Sequence, residues 1–253
     1  MQAVTILRHS LRQITGNIGA VLRIWIVPYL IAGLSSAPLL VAGAVSKASG
    51  GNVPSGSAIL IALAAVVNLF VLCWVATSWH RYVLLGEPVG LIARPHTREI
   101  MLYFLQLLLI GLAVVPIVLA LILINALLGT QTAPRSLALL WDGLLTIIVT
   151  YFALRLGTWL PGVAIGKEKP SLAGWKATAG RDGDITGLVL MLYLLQTAIA
   201  LIVTAIMGSG DWPPAMLFMI GIAALVVNIA FSVLTLSVTT TLYGHYVEGR
   251  PLH

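Results

Sequence analysis

The amino-acid sequence predicts an all-α, polytopic membrane helix bundle with six transmembrane helices. Three observations predict it. Hydrophobic residues make up 59% of the 253-residue chain and charged residues only 9%, whereas a water-soluble domain carries about a quarter charged residues. Mean hydropathy is +1.03. Six apolar runs, each long enough to cross about 30 Å of hydrocarbon as a helix, use up nearly the whole chain. One transmembrane domain over 1–253 is therefore expected. The spans must be helical because lipid offers no partner to an unpaired backbone group, and the alternating strands of a transmembrane barrel do not occur.

The first element is a short amphipathic helix. Ile6, Leu7, Leu11 and Ile14 fall on one face, with Arg8 and Arg12 together on another. Such a helix is expected in the headgroup plane with its basic side wet. The first span covers about 24–45. The basic stretch before it exceeds 20 residues and the run is longer than the roughly 7–15 residues of a signal core, so an uncleaved span is expected. Ser49-Gly50-Gly51-Asn52-Val53-Pro54 then turns the chain into the second span, about 58–79. Pro95 to Glu99 leads into the third span, about 100–128. Gly129 to Pro134 separates it from the fourth, about 138–160. Leu172, Trp175 and Lys176 form a second interfacial stretch before the fifth span, about 185–207. Gly208 to Pro214 precedes the sixth, about 214–242.

A threefold hairpin repeat is legible. The even-numbered spans run out through Gly86-Glu87-Pro88, Gly166-Lys167-Glu168-Lys169-Pro170 and Gly249-Arg250-Pro251, at intervals of 80 and 83 residues. Glycine followed by proline stops a helix. Val66-Val67-Asn68 in the second span returns as Val226-Val227-Asn228 in the sixth. The unit reads as a short basic interfacial helix followed by two spans.

Orientation follows from charge. Arg8, Arg12, Arg23, Arg81, Arg94, Arg98, Arg155, Lys167, Lys169, Lys176, Arg181 and Arg250 lie towards one side, leaving only Lys47 and Arg135 for the other. The basic side is expected to be cytoplasmic, with both termini there. It holds six of the eight carboxylates and so the entire net charge of +6. That charge points to anionic headgroups as partners rather than to nucleic acid. The lone Cys73 reads as an apolar packing residue.

The sequence contains no HExxH, G-x-S-x-G, phosphate-binding loop or paired-cysteine motif. Neither an enzyme nor a cofactor is expected. The candidate lipid or substrate contacts are Arg155, Asn68, Asn228, His80, Arg81, His245 and Trp175. Arg155 reads either as a residue that snorkels or caps a loop, or as the lining of a cytoplasm-facing cavity that meets a phosphate. Asn68 and Asn228 read either as interhelical bonds or as a polar path. His80 and His245 end even spans beside Tyr and Arg, a pattern of interfacial anchoring. Asp142 and Arg155 lie thirteen residues apart, about 20 Å along one helix, too far to pair.

Trp79-His80-Arg81-Tyr82-Val83-Leu84-Leu85-Gly86-Glu87 resembles the bacterial YciC-like six-span membrane proteins, related to the membrane domain attached to some glycerophosphodiester phosphodiesterases. Arg155 through Gly166, with Ser171 and Trp175-Lys176-Ala177-Thr178, is similar to their fourth-span region. Tyr243-Gly244-His245-Tyr246-Val247-Glu248-Gly249 is similar as well. The resemblance implies membrane embedding and contact with lipid, and no hydrolase activity. The expected function is a non-enzymatic inner-membrane protein that contacts lipid or accompanies a larger membrane complex as an accessory subunit. The alternative is a transporter or lipid translocase with a cytoplasm-facing polar cavity.

Overall fold

The computed structural model describes residues 2–48, 57–127, 134–167, 172–208, 210 and 212–252. The turn clusters at 49–54 and 129–133 lie outside the described residues, as do Glu168, Lys169, Pro170 and Ser171. Among the described residues the chain is all-helical: α1 (Gln2–Thr15), α2 (Ile18–Ala48), α3 (Ser57–Leu85), α4 (Thr97–Leu127), α5 (Arg135–Gly157), α6 (Leu160–Ala164), α7 (Ala173–Ala177), α8 (Asp182–Gly208) and α9 (Pro214–Tyr246). The six long helices α2, α3, α4, α5, α8 and α9 are apolar enough to cross a membrane. The protein is a multi-pass integral membrane protein. Much of its outer surface is aliphatic, with Leu34 75%, Leu112 68% and Leu201 64% exposed. Lipid solvates such a surface; water would not.

The chain forms two compact units. The first comprises Met1–Thr15, Leu107–Leu160 and Lys169–His253. Its core is built from Ile6 of α1, Leu154 of α5, Ile185, Leu188 and Val189 of α8, and Val238 and Leu242 of α9. Here α1 departs from the sequence expectation in one respect. Its apolar face packs on α8 and α9, whereas the sequence assigned that face to headgroups. Small residues make the approach close: a Cβ added to Gly187 would lie 3.1 Å from the Ala3 Cβ. The buried Ser10 and Thr241 hydroxyls bond each other at 2.9 Å, and the Gln2 backbone N–H donates to Asp184 Oδ1 at 3.2 Å. Arg8 and Arg12 remain exposed on the opposite side.

The second unit comprises Gly16–Gln106 and Pro161–Glu168. In it α2 packs on α3. Trp25 meets Trp79 edge-on at 5.9 Å, and Trp79 lies 5.9 Å from Tyr82. The Tyr82 hydroxyl donates to Asn17 Oδ1 at 2.6 Å, which ties the end of α3 to the start of α2. Pro28 and Pro38 sit inside α2, and Pro116 sits inside α4.

The glycines that follow the even-numbered spans adopt left-handed backbone, at φ +66° for Gly86, +81° for Gly166 and +69° for Gly249. At Gly166 the Lys167 N–H bonds the Gly162 carbonyl at 2.9 Å and the Gly166 N–H bonds the Val163 carbonyl at 3.0 Å. This pair of bonds caps the last carbonyls of a helix and requires the reversed φ. The repeat is less regular on the other side of each hairpin. Helices α1 and α7 precede the first and third pairs, but 86–96 before α4 contains no helix. Pro88 and Pro95 account for this: each lacks a donor and pushes its preceding residue towards extended backbone.

Candidate functional site

Two polar clusters stand out, one in each unit. The first centres on Arg155, in the last turn of α5 and only 5% exposed. Its Nε donates to Thr178 Oγ1 at 3.1 Å. Nη1 donates to the Tyr151 hydroxyl at 2.9 Å and to Asp182 Oδ1 at 2.6 Å. Nη2 donates to the carbonyls of Trp175 at 3.4 Å and Thr178 at 3.2 Å. A guanidinium has five N–H donors, and these five bonds engage all of them. The guanidinium carbon also lies 3.8 Å from the Trp175 ring centroid, a cation–π contact. Trp175 also stacks on Phe152, at 5.7 Å. The Tyr151 hydroxyl donates to Asp182, closing the ring of partners. Arg155 therefore fastens α7 and the start of α8 to α5. Gly174 allows this closeness, because a Cβ there would lie 2.7 Å from the carbonyl oxygens of both Arg155 and Leu156.

The second cluster surrounds the end of α3. Glu87 is shared between two basic groups: Arg81 Nε donates to Oε2 at 2.7 Å, and His96 Nε2 lies 3.1 Å from Oε1. Arg81 Nη1 also donates to the Ala164 carbonyl at 3.2 Å. Arg23 Nη1 donates to the Val89 carbonyl at 3.4 Å, holding the loop from outside. Between these groups is a cavity of about 90 Å³, lined by Ser78, Arg81, Glu87, Arg94 and His96 together with Pro88, Val89, Gly90, Ile92 and Ala93. Ser78 is 8% exposed, and its hydroxyl is buried without a hydrogen-bond partner among the described residues. His96 Nδ1 is likewise buried and unpartnered. Arg94 is exposed and has no ion-pair partner among the described residues. Two guanidiniums and an imidazole thus face a single carboxylate. In the same loop Leu91 is 90% exposed, and Ile92, which lines the cavity, is 54% exposed.

The remaining candidates are dispersed. Asn68 Nδ2 donates to Ser35 Oγ at 3.3 Å, Ser36 Oγ at 3.2 Å and the Ala64 carbonyl at 2.7 Å, so it bridges α2 and α3. Its counterpart in the repeat, Asn228, is exposed, and its Nδ2 donates along its own helix to the Ala224 carbonyl at 2.8 Å. His80 is fully buried, with Nε2 3.3 Å from the Tyr103 hydroxyl and the two rings stacked at 5.8 Å. His245 Nδ1 lies 3.0 Å from the Arg250 carbonyl oxygen, across the Gly249 turn. Among the described residues no group of three or more His, Cys, Asp or Glu could hold a metal ion.

Of the residues named from sequence, Arg155 and Trp175 come together in the first unit, and Arg81 joins the cavity in the second. Ser78, Arg94 and His96 were not singled out. The available signal was a short Pro- and Gly-bounded stretch, 88–95, with basic residues at 81, 94 and 96 around one carboxylate. Compared with protein families, with curated proteins and with solved structures, the chain matches none.

Proposed function

We propose that this is a non-enzymatic multi-pass protein of the bacterial inner membrane, with both termini in the cytoplasm, that engages anionic phospholipid headgroups with its basic face. The observation that carries the reading is the two-sided use of α1. One side is packed into the helical core, and the other presents Arg8 and Arg12, both exposed. A juxtamembrane arginine near an anionic leaflet contributes about 1 kcal/mol of attraction. A firmly docked helix meets less entropic cost in holding two such residues there. Arg94 and Lys176 are also exposed on the side assigned to the cytoplasm.

Native mass spectrometry of the protein, purified in mild detergent without crosslinker, tests this. Anionic lipid should co-purify in preference to zwitterionic lipid, and the Arg8→Gln, Arg12→Gln double variant should retain less of it. A stoichiometric protein partner with no lipid preference would replace the reading with that of an accessory subunit. A lipid-free, partner-free monomer would overturn both.

A further inference from the structure

We infer that the cavity at the end of α3 is a headgroup site that takes the phosphate of an anionic phospholipid. The inference rests on the lipid-engaging reading above and gives it a specific locus. Four features of the second unit converge. The cavity is small, about 90 Å³, room for a few waters or one tetrahedral oxyanion. Its charge is unbalanced, because Glu87 is divided between Arg81 and His96 while Arg94 stays unpaired. It is lined by polar groups buried without partners among the described residues, the Ser78 hydroxyl and His96 Nδ1. Buried polar groups are seldom left unsatisfied, and an absent ligand is one explanation when they are. Lastly, Leu91 and Ile92 project from the same loop, 90% and 54% exposed.

The apolar pair separates a lipid from a free phosphate ester. A soluble anion has no use for two exposed aliphatic side chains at the mouth of its site. A phospholipid brings acyl chains and glycerol to the same place as its phosphate, and interfacial aliphatic residues pack on them. In the bound state Arg94 supplies a charge-assisted bond to a phosphate oxygen. The Ser78 hydroxyl turns about χ1 to donate to another. His96 keeps Nε2 on Glu87, which leaves its buried Nδ1 for the phosphate. Arg81 stays on Glu87 and lends its field.

The test is a native mass spectrometry titration of the full chain in detergent, with phosphatidylglycerol, phosphatidylcholine and inorganic phosphate as separate probes. Phosphatidylglycerol should bind with the highest affinity. Arg94→Gln, at an exposed position that folding tolerates, should weaken it about tenfold or more, the effect of one charge-assisted bond. Ser78→Ala should weaken it less. Leu91→Ser should weaken phosphatidylglycerol while leaving inorganic phosphate unchanged. Full phosphatidylglycerol affinity in Arg94→Gln, alongside a loss in Arg8→Gln, Arg12→Gln, would overturn this site and leave the broader reading standing. Inorganic phosphate binding as tightly as phosphatidylglycerol would overturn the lipid assignment. No preference for anionic lipid in the unaltered chain would overturn both readings.

Discussion

Replacing Arg155 by alanine should be among the most destabilising single changes available in the first unit. Four of its five bonds go to neutral oxygens, on Tyr151, Trp175 and Thr178, and one goes to Asp182. A typical hydrogen bond contributes about 1 kcal/mol net, and more when one partner is charged. The contact with Trp175 adds about 1–2 kcal/mol where it is shielded from water. The ion pair itself adds little, because the Asp182 side chain is 60% exposed and rehydrates when its partner leaves. These contributions are not additive. The expected loss is about 3–5 kcal/mol, from the lost bonds of a charged donor to buried oxygens and the lost ring contact. Arg155→Lys should recover less than half of it, since a point ammonium cannot reach oxygens on three sides. Asp182→Asn should cost far less than Arg155→Ala, because its carboxylate is solvated. The assay is equilibrium unfolding in mixed micelles of mild detergent and dodecyl sulfate, followed by tryptophan fluorescence. A loss below about 1 kcal/mol for Arg155→Ala would show that the guanidinium does not fasten α7 and α8 to α5, and the reasoning would fail.

Gly174→Ala places a methyl 2.7 Å from two carbonyl oxygens and should cost about 1–3 kcal/mol in the same assay. Asn68→Leu removes bonds to Ser35 and Ser36 on another helix and should cost about 1 kcal/mol. Asn228→Leu, which breaks a bond along its own helix, should be neutral or stabilising, so a shared loss would contradict the geometry. Gly166→Ala forces a Cβ into left-handed backbone and should lower stability by about 1 kcal/mol, with Gly166→Asn milder; thermal midpoints in detergent will show the order.

The spans were legible because lipid imposes a long-range constraint that a local apolar run records directly. The stops were legible for a similar reason: Gly86, Gly166 and Gly249 carry a conformational requirement that few other residues meet. What the sequence concealed was partnership. The apolar face of α1 looks the same whether it meets acyl chains or α8 and α9, and tertiary partners such as Gly187 for Ala3 and Thr241 for Ser10 decide between them. Arg155 gave no hint of its partners because Thr178 and Asp182 lie 23 and 27 residues further on. The middle copy of the repeat reads like its siblings in its hairpin, yet Pro88 and Pro95 replace a helix with the loop that forms the cavity. Asn68 and Asn228 share a local motif and have different neighbours, so sequence similarity within the chain did not carry over to role.

The docking of α1 also sets a schedule. The hydrogen bond between Ser10 and Thr241 spans 231 residues. At about 5–20 residues per second, a ribosome needs roughly 12–46 s to travel that distance. Until α8 and α9 have both been made, the nascent N-terminal helix has an apolar face and lacks the full protein surface that receives it. The expected host in that interval is the membrane surface, where an amphipathic helix lies with its apolar face down. The last helix thereby completes the first. A chain halted before α9 keeps α1 on the surface, distinguishable by protease access from a finished molecule.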